Sequence, residues 1–165
     1  MEPRFFPVSL KTRWRRAALR PLWCACLCEA HDIAKPLKRN MNRELDKRLK
    51  DVNPDDYFIE MLYLGRKAVG FFACSLNWPY LSEILQVSGC GYGEEFYIDP
   101  AYRRQGLGWL MFERVQNLLR PRLTLPRIYG IPDDDNAKLF WSAQGWADTG
   151  RKDESGSSIW VYEIS

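Results

Sequence analysis

Apolar residues recur at helical intervals through the N-terminal third of the chain. Between Lys, Arg and Glu residues, the repeating apolar positions are Leu37, Met41, Leu45, Leu49 and Val52. This spacing predicts an amphipathic helix, and the segment NPDD that follows predicts its end. The preceding stretch, from about residue 11 to Ile33, has a helical composition, and Pro21 is predicted to start a second piece of helix within it. A short strand is predicted from Phe5 to Leu10.

Shorter apolar runs in the middle of the chain have the composition of strands. Two runs flank Gly65-Arg66 and predict a β-hairpin around that pair. A third run extends from about Leu85 into the segment EEFYID, and Pro100 ends it. This run contains three glycines at alternate positions, Gly89, Gly91 and Gly93. Glycines clustered in a strand predict a bulge or the close approach of another backbone.

Helices and strands alternate in the remainder of the chain. A helix is predicted from about Gln105 to Leu119, and its apolar side is formed by Leu107, Leu110, Met111, Val115, Leu118 and Leu119. A short strand RIYGI, a helix with acidic capping residues and a glycine end, and a final strand SSIWVYEIS follow. Strands that meander in the middle and alternate with helices at the end predict an α/β fold, with one mixed sheet and helices on both faces. The length favours a single domain over residues 1–165.

Charge is unevenly distributed, although the net charge is only +3. Residues 1–50 contain 13 Lys or Arg against 5 Asp or Glu, whereas residues 51–165 contain 11 against 16. The basic end fits either a nucleic-acid partner or a solvated helical surface. We favour the solvated surface, so a nucleic-acid partner is the less favoured alternative.

The cysteines and the hydropathy pattern bear on metal binding and location. Cys24, Cys26 and Cys28 alternate and so do not share one helical face, and His31 completes no zinc spacing with any cysteine. We therefore expect free thiols and no metal, which favours a reducing cytoplasmic compartment. No run of about 18 uncharged apolar residues occurs, so no membrane-spanning helix and no membrane partner are expected.

The segment EEFYIDPAYRRQGLGWLMFERV, residues 94–115, joins a strand, a proline turn and the start of a helix. Unpaired N–H groups at a helix N-terminus carry partial positive charge and bind phosphate. Gly106 and Gly108 would let a pyrophosphate approach the backbone, and Arg103 and Arg104 add positive charge. The segment lacks the third glycine of a dinucleotide fold and the Gly-Lys-Ser/Thr of a nucleoside-triphosphate loop. Taken alone, it also fits a helix start that glycines merely ease.

The whole segment resembles the signature of the GNAT superfamily, the acyl-CoA-dependent N-acyltransferases. The family pattern of strand, proline, and Arg/Gln-x-x-Gly-x-Gly/Ala at a helix start falls on Pro100, Arg103, Gly106 and Gly108. A second family motif resembles NAKLFWSAQGW, through Ala137, Phe140-Trp141 and Gly145-Trp146. The order of elements matches that of the family over nearly the whole chain.

The resemblance implies a mostly antiparallel sheet of about six to seven strands, splayed where acetyl-CoA binds as co-substrate without a metal. It places the pyrophosphate on the backbone of residues 104 to 109, and the pantetheine arm between the strand that ends at Asp99 and the strand around Tyr129. The cofactor-binding residues it implies are Ile98, Arg103, Arg104, Gln105, Gly106, Leu107, Gly108, Trp109, Asn136 and Trp141.

Two positions depart from the family pattern. Trp141 stands where the family usually has the Tyr thought to protonate the departing thiolate, and Asp134 stands at the usual asparagine position, two residues before Asn136. An indole N–H donates a hydrogen bond but does not give up its proton. A thiol pKa of about 8.5 puts the thiolate only about 2 kcal/mol above the thiol at pH 7. The thiolate could leave unaided, or take a proton from water, Ser142 or Tyr129, and Trp141 is expected to pack against the pantetheine arm.

Adjacent glutamates precede the turn. An amine must be neutral to attack a thioester, and a carboxylate near the acyl group can attract the cation and take its proton. Glu94 and Glu95 should point to opposite faces of their strand, so one of them should face the acceptor. The family resemblance supports one of the pair without choosing, and both could instead be ion-pair partners of the basic helices. A backbone N–H near Tyr97 is expected to hold the oxyanion of the tetrahedral intermediate.

The sequence therefore predicts an N-acetyltransferase that transfers acetyl from acetyl-CoA to a primary amine by direct attack. The acidic balance of residues 51–165 suits a cationic small molecule or a protein amine as acceptor. An acetyltransferase acting on an RNA-borne amine, as in toxin members of the family, a non-catalytic acyl-CoA-binding module and an interaction protein stay open. Homodimer formation is left open as well.

Overall fold

A computed structural model of the chain describes residues 2–9, 11–30, 38–51, 55–76 and 78–164, with the backbone alone for 38–42 and 51. Strands and helices alternate within these residues. The strands are β1 Pro3–Pro7, β2 Tyr57–Leu64, β3 Lys67–Leu76, β4 Gly91–Ile98, β5 Arg127–Gly130, β6 Ala147–Lys152 and β7 Ser158–Glu163. The helices are α1 Arg13–Ala30, α2 Lys38–Asp51, α3 Pro79–Leu85, α4 Leu107–Leu119 and α5 Asp135–Ala143.

The strands form one mixed sheet in the order β1-β2-β3-β4-β5-β7-β6, with β1 and β6 at its open edges. β1 pairs antiparallel with β2, and β7 pairs antiparallel with both β5 and β6. β4 and β5 are parallel, and their register runs only from Gly91↔Ile128 to Gly93↔Gly130. A parallel pair needs a crossover connection, which α4 supplies. The predicted mixed sheet of six to seven strands is confirmed.

The chain divides into two compact units. The first unit consists of Met1–Ala73 and Glu95–Met111, and the second of Cys74–Glu94 and Phe112–Ser165. The prediction of a single domain over residues 1–165 stays a prediction. No helix in the described part of the chain is long and apolar enough to cross a bilayer.

The core of the first unit lies where α1 and α2 meet β2 and β3. In α1 the buried residues Leu19, Leu22, Trp23 and Cys26 follow helical spacing and form one apolar face. Leu45 of α2 is fully buried in the same cluster, which confirms the amphipathic prediction there. Leu37 and Val52 lie outside the described residues, as does the side chain of Met41. The hairpin is also confirmed: β2 and β3 are joined by Gly65-Arg66, and Gly65 has a positive φ of 61°.

Two N-terminal predictions were wrong in detail. Pro21 does not start a second piece of helix, because α1 runs through it from Arg13 to Ala30. A proline inside a helix costs about 3 kcal/mol, and burial of Leu22 and Trp23 offsets it at about 1.5–3 kcal/mol for each large side chain. The first strand begins at Pro3, two residues earlier than predicted, because Pro3 already pairs with Leu64 of β2. β1 also ends earlier than predicted, at Pro7, since Val8 and Ser9 are not part of a strand; Leu10 itself lies outside the described residues.

Two elements of the second unit were not predicted. Leu85, expected to begin a strand, instead ends the short helix α3, which has Pro79 at its start and buries Leu81. The residue after it, Gln86, adopts a left-handed conformation with a φ of 56°, which turns the chain toward β4. β6 is an edge strand in which five of six residues are exposed, so its sequence carries no apolar alternation. The predicted close approach of backbones is confirmed at Gly89, whose carbonyl accepts hydrogen bonds from the amides of Thr124 and Leu125.

Candidate functional site

The C-terminal end of β4 is held closely against β3 within the first unit. The Asp99 amide donates to the carbonyl of Val69 at 2.9 Å. A Cβ at Gly70 would lie 2.6 Å from the Tyr97 carbonyl oxygen and 2.8 Å from Cδ1 of Ile98. Only glycine therefore leaves room for β4 at this point. Sequence reasoning did not single out Gly70, although a glycine inside an apolar strand is the signal for such an approach.

The turn after β4 is fixed by backbone contacts and by two left-handed residues. Asp99 caps a short 3₁₀ turn, Pro100–Tyr102, by accepting a hydrogen bond from the Ala101 amide at 3.0 Å. Arg104 and Gly106 have positive φ values of 62° and 78°. α4 begins at Leu107, directly after these two residues.

The start of α4 has room for an anion. The Gly106 carbonyl accepts from the Leu110 amide at 3.1 Å, so the amides of the first turn, at 107–109, precede any partner inside the helix. Apart from Gly106 and its two chain neighbours, no atom of the described residues lies within 4 Å of a Cβ placed at Gly106. Arg104 and Gln105 are exposed, as is Trp109, at 51%. These amides and the neighbouring Arg104 fit a phosphate group by charge and by space.

Arg103 is engaged by the protein rather than directed only to solvent. Its Nε donates to the Ile98 carbonyl at 2.8 Å, and its Nη2 lies 2.7 Å from Oε2 of Glu29 in α1. The guanidinium also lies 5.5 Å from the centroid of the Tyr97 ring. The hydrogen bond to Glu29 raises the pKa of Arg103 above its ordinary value. Arg103 therefore anchors the turn to α1, and its predicted role toward a pyrophosphate stays a prediction.

Glu95 lies between the two basic helices of the first unit. Its carboxylate accepts from the Cys26 thiol of α1 at 3.5 Å, and its Oε1 lies 3.9 Å from Nη1 of Arg48 in α2. The side chain is only 14% exposed. These contacts match the ion-pair alternative for Glu95. The predicted role of Glu95 in proton transfer stays a prediction.

The other candidate catalytic residues lie along the same strand. Glu94 is half-buried in the second unit. Tyr97 is buried in the first unit, with its ring centroid 6.1 Å from that of Phe71. Burial raises the pKa of the Tyr97 phenol above its ordinary value. The predicted role of this position uses the backbone amide and stays a prediction.

Trp141 belongs to an aromatic cluster of the second unit, formed by Phe112, Phe140, Trp141, Trp146 and Tyr162. Its ring centroid lies 4.8 Å from Phe140, 4.9 Å from Trp146 and 5.5 Å from Phe112. Edge-on and tilted aromatic pairs of this kind stabilise by packing. Of the alternative proton donors, Tyr129 is almost fully buried and Ser142 is exposed.

The residue at the family's asparagine position has a structural task. Oδ1 of Asp134 accepts a hydrogen bond from the Ala137 amide at 2.7 Å and so caps α5. Asn136 lies in the first turn of α5 and is exposed. Aspartate is a favoured residue at a helix N-cap, so Asp134 has a capping role at this position.

The structure thus divides the predicted site residues between the units. The first unit contains Glu95, Tyr97, Ile98, Arg103, Arg104, Gln105, Gly106, Leu107, Gly108 and Trp109, and the second contains Glu94, Asn136 and Trp141. Sequence reasoning missed Cys26, Glu29 and Arg48, because their contacts join positions far apart in the chain. Among the described residues, no group of three or more His, Cys, Asp or Glu side chains could hold a metal ion.

A comparison with protein families identifies the chain. The model of the acetyltransferase (GNAT) family matches residues 17–146. The chain belongs to the GNAT acetyltransferase family. This GNAT match covers the β4 turn and the aromatic cluster as far as Trp146, and family membership indicates an acyltransferase that uses acyl-CoA. None of the curated sequences compared matches the chain significantly.

Solved structures share the GNAT fold over almost the whole chain. An acetyltransferase from Thermus thermophilus is 21% identical with a TM-score of 0.74, over 99% of this chain and 98% of that one. The PaiA N-acetyltransferase from Thermoplasma acidophilum, in complex with coenzyme A, is 8% identical with a TM-score of 0.69, over 99% of each chain. The ribosomal-protein alanine N-acetyltransferase of Escherichia coli is 14% identical with a TM-score of 0.66, over 99% and 95%. Identities this low show the fold alone.

Proposed function

We propose that this protein is an N-acetyltransferase that transfers the acetyl group of acetyl-CoA to a primary amine in the cytoplasm. The observation that carries the proposal is the open start of α4. Gly106 has a φ of 78°, and a Cβ placed on it would have no described atom within 4 Å apart from those of Gly106 and its chain neighbours. Membership of the acetyltransferase family supports coenzyme A as the anion, and the PaiA N-acetyltransferase structure contains coenzyme A.

The pyrophosphate of coenzyme A would bind to the amides of residues 107–109, with the guanidinium of Arg104 beside it. Amides at a helix start carry part of the helix dipole and need no side chain to bind an anion. The bond from Arg103 to the Ile98 carbonyl at 2.8 Å would hold the turn in place. In this proposal Arg104 supplies charge and Arg103 supplies rigidity.

The acceptor amine would lose its proton to a carboxylate of the Glu94–Glu95 pair, directly or through water. The neutral nitrogen then attacks the thioester carbon, and the carbonyl oxygen becomes an oxyanion that a β4 amide near Tyr97 would stabilise. The oxyanion then re-forms the carbonyl as the carbon–sulfur bond breaks, the nitrogen releases its second proton to solvent, and the thiolate leaves unaided or takes a proton from water. Trp141 takes no part in proton transfer, because an indole is not a usable acid.

A non-catalytic acyl-CoA-binding protein is the second candidate. Two observations favour it: Trp141 is packed among Phe140 and Trp146, and the Glu95 carboxylate already contacts Arg48 and Cys26. Such a protein would bind coenzyme A at α4 but release no thiol.

For the enzyme, the acceptor classes to compare are small polyamines and protein amines. Protein amines are included because the Escherichia coli structure is that of a ribosomal-protein alanine N-acetyltransferase.

The experiment has a binding arm and a turnover arm. Gly106→Glu puts a negative side chain at the proposed anion site and should abolish detectable coenzyme A binding in calorimetry. Gly156→Glu is the matched control, because Gly156 also has a positive φ, 87°, and no described atom within 4 Å of its Cβ position. If folded Gly106→Glu protein binds coenzyme A like the control, the cofactor binds elsewhere. Thiol release from acetyl-CoA with an amine panel then separates the enzyme from the binder.

A further inference from the structure

A groove with a volume of about 340 Å³ lies within the second unit and shares Tyr129 with the residues considered above. It is lined by Leu85, Val87, Arg127, Tyr129, Thr149, Arg151, Val161 and Glu163. A volume of this size is at the lower end of the range for small-molecule sites. The groove is open to solvent along one side, so it suits a ligand that is only partly enclosed.

The floor of the groove is one face of the sheet. Arg127 and Tyr129 are alternate residues of β5, Thr149 and Arg151 of β6, and Val161 and Glu163 of β7. Alternate residues of a regular strand point to the same face, and the register pairs Arg127 with Glu163 and Tyr129 with Val161. Thr149 and Arg151 lie where the register of β6 against β7 is irregular, and both still line the groove. The wall of the groove is formed by two apolar side chains, Leu85 and Val87. Leu85 is the last residue of α3, and Val87 follows the left-handed Gln86.

The polar part of the groove carries an excess of positive charge, from two arginines against one glutamate. Nε of Arg127 lies 2.8 Å from Oε1 of Glu163, with the two side chains 38% and 65% exposed. Nη1 of Arg151 donates to the Ile84 carbonyl at 3.0 Å. A guanidinium has five N–H donors in a fixed fork. Arg127 is thus held by Glu163 and by a hydrogen bond to Tyr129, and Arg151 by the Ile84 carbonyl, which leaves further guanidinium donors on each side chain.

These features match one class of ligand. An apolar wall and floor of Leu85, Val87 and Val161 favour a hydrocarbon body, and anchored guanidinium groups favour a carboxylate. We propose that this groove is a second binding site, for a small organic carboxylate with an aromatic or branched aliphatic body. The ligand carboxylate would take the position that Glu163 now occupies beside Arg127. This site does not depend on acetyl transfer by the protein.

The test uses hydrocinnamate as the probe in a ligand-observed NMR titration of the full chain. Phenylpropanol has the same hydrocarbon body without the charge, and inorganic phosphate has charge without the body. We expect hydrocinnamate to bind in the millimolar range that a small fragment reaches, and neither comparison compound to bind as well. Equal binding of phenylpropanol would overturn the role of the arginines, and tighter binding of phosphate would overturn the role of the apolar wall.

Two substitutions should change the affinity for hydrocinnamate in opposite directions, which distinguishes a specific site from non-specific charge attraction. Arg127→Gln should weaken hydrocinnamate binding about tenfold, the effect of one charge-assisted hydrogen bond. Glu163→Gln should strengthen binding, because it removes the competing carboxylate. Arg120→Gln, an exposed arginine of the same unit that does not line the groove, should leave binding unchanged. Equal affinities for Arg127→Gln, Glu163→Gln and wild type would overturn the proposal.

Discussion

Gly70→Ala offers a direct test of how the fold positions the start of α4. The added Cβ would lie 2.6 Å from the Tyr97 carbonyl oxygen, whereas ordinary van der Waals contact begins at 3.4 Å. The nearer atom belongs to the backbone, so β3 and β4 must separate locally. Ile98 would move with β4, and the Ile98 carbonyl holds Nε of Arg103. The substitution should therefore disturb both stability and the turn at Arg103.

Overpacking of a well-packed interior typically costs about 1–3 kcal/mol. For a chain of this length, that range lowers the melting temperature by roughly 2–12 °C. Urea unfolding followed by circular dichroism gives the free energy of unfolding. Calorimetry with coenzyme A, at a temperature where the variant is folded, gives the effect on the turn, which we expect to be a weaker affinity.

Gly93→Ala is the matched control for Gly70→Ala. A Cβ at Gly93 would approach a described atom no closer than 3.9 Å, at the Tyr129 carbonyl oxygen. Both glycines lie inside strands of the same sheet, so the loss of backbone freedom is similar. Gly93→Ala should leave the unfolding midpoint nearly unchanged. If Gly70→Ala unfolds at the same urea concentration as Gly93→Ala, the close packing of β4 on β3 does not constrain the site.

Two further predictions concern the second unit. Trp141→Tyr should leave turnover similar to wild type or raise it, because a phenol can replace part of the packing and can also donate a proton; a large fall in rate with intact coenzyme A affinity would contradict this. Asp134→Ala should lower the free energy of unfolding by about 0.5–2 kcal/mol, because the Ala137 amide loses its capping acceptor. Asp135→Ala is the control, because the Asp135 carboxylate is 94% exposed and pairs with Lys138. This substitution should lower the free energy of unfolding by less, and an equal decrease for both variants would show that the cap does not stabilise the protein.

Local patterns in the sequence predicted the parts of the fold that local chemistry determines. The β4 turn and α4 were predicted because proline, glycine and helical periodicity act within a few residues. The helix α3 was missed because seven residues are too few for periodicity to separate helix from strand. β6 was missed because an exposed edge strand needs no apolar alternation. The prediction at Pro21 was wrong because burial of the apolar face of α1, which depends on tertiary packing, outweighs the unfavourable free energy of a proline inside a helix.

The candidate site could be predicted from the sequence only where its residues are close together in the chain. The residues from Arg103 to Trp109 follow one another in the chain, so one motif contains them. The contact of Glu95 with Cys26 joins residues 69 positions apart, and no local pattern indicates which side chains will surround a carboxylate. The sequence could therefore name two adjacent glutamates, but could not say that α1 and α2 would enclose Glu95.

These neighbours lead to a specific prediction for Glu95. A cation about 4 Å from a carboxylate stabilises its ionised form by about 4 kcal/mol at an effective dielectric constant of about 20, and solvent at the 32%-exposed Arg48 side chain reduces that value. Burial of the 14%-exposed Glu95 side chain acts in the opposite direction, and we expect the attraction of Arg48 to outweigh it, so that Glu95 attracts the cationic amine rather than taking its proton. We therefore expect Glu95→Gln to raise KM for the amine more than it lowers kcat, whereas a residue that acts as the general base should lower kcat by about 10²–10⁴-fold. Arg48→Gln tests whether Arg48 is responsible, because the Glu95 carboxylate without the guanidinium nearby should become a better proton acceptor. The effect of Arg48→Gln on turnover should therefore vanish in the Glu95→Gln background. If Arg48→Gln changes turnover equally in both backgrounds, Arg48 does not act through Glu95 and the assignment of the two glutamates must be reopened.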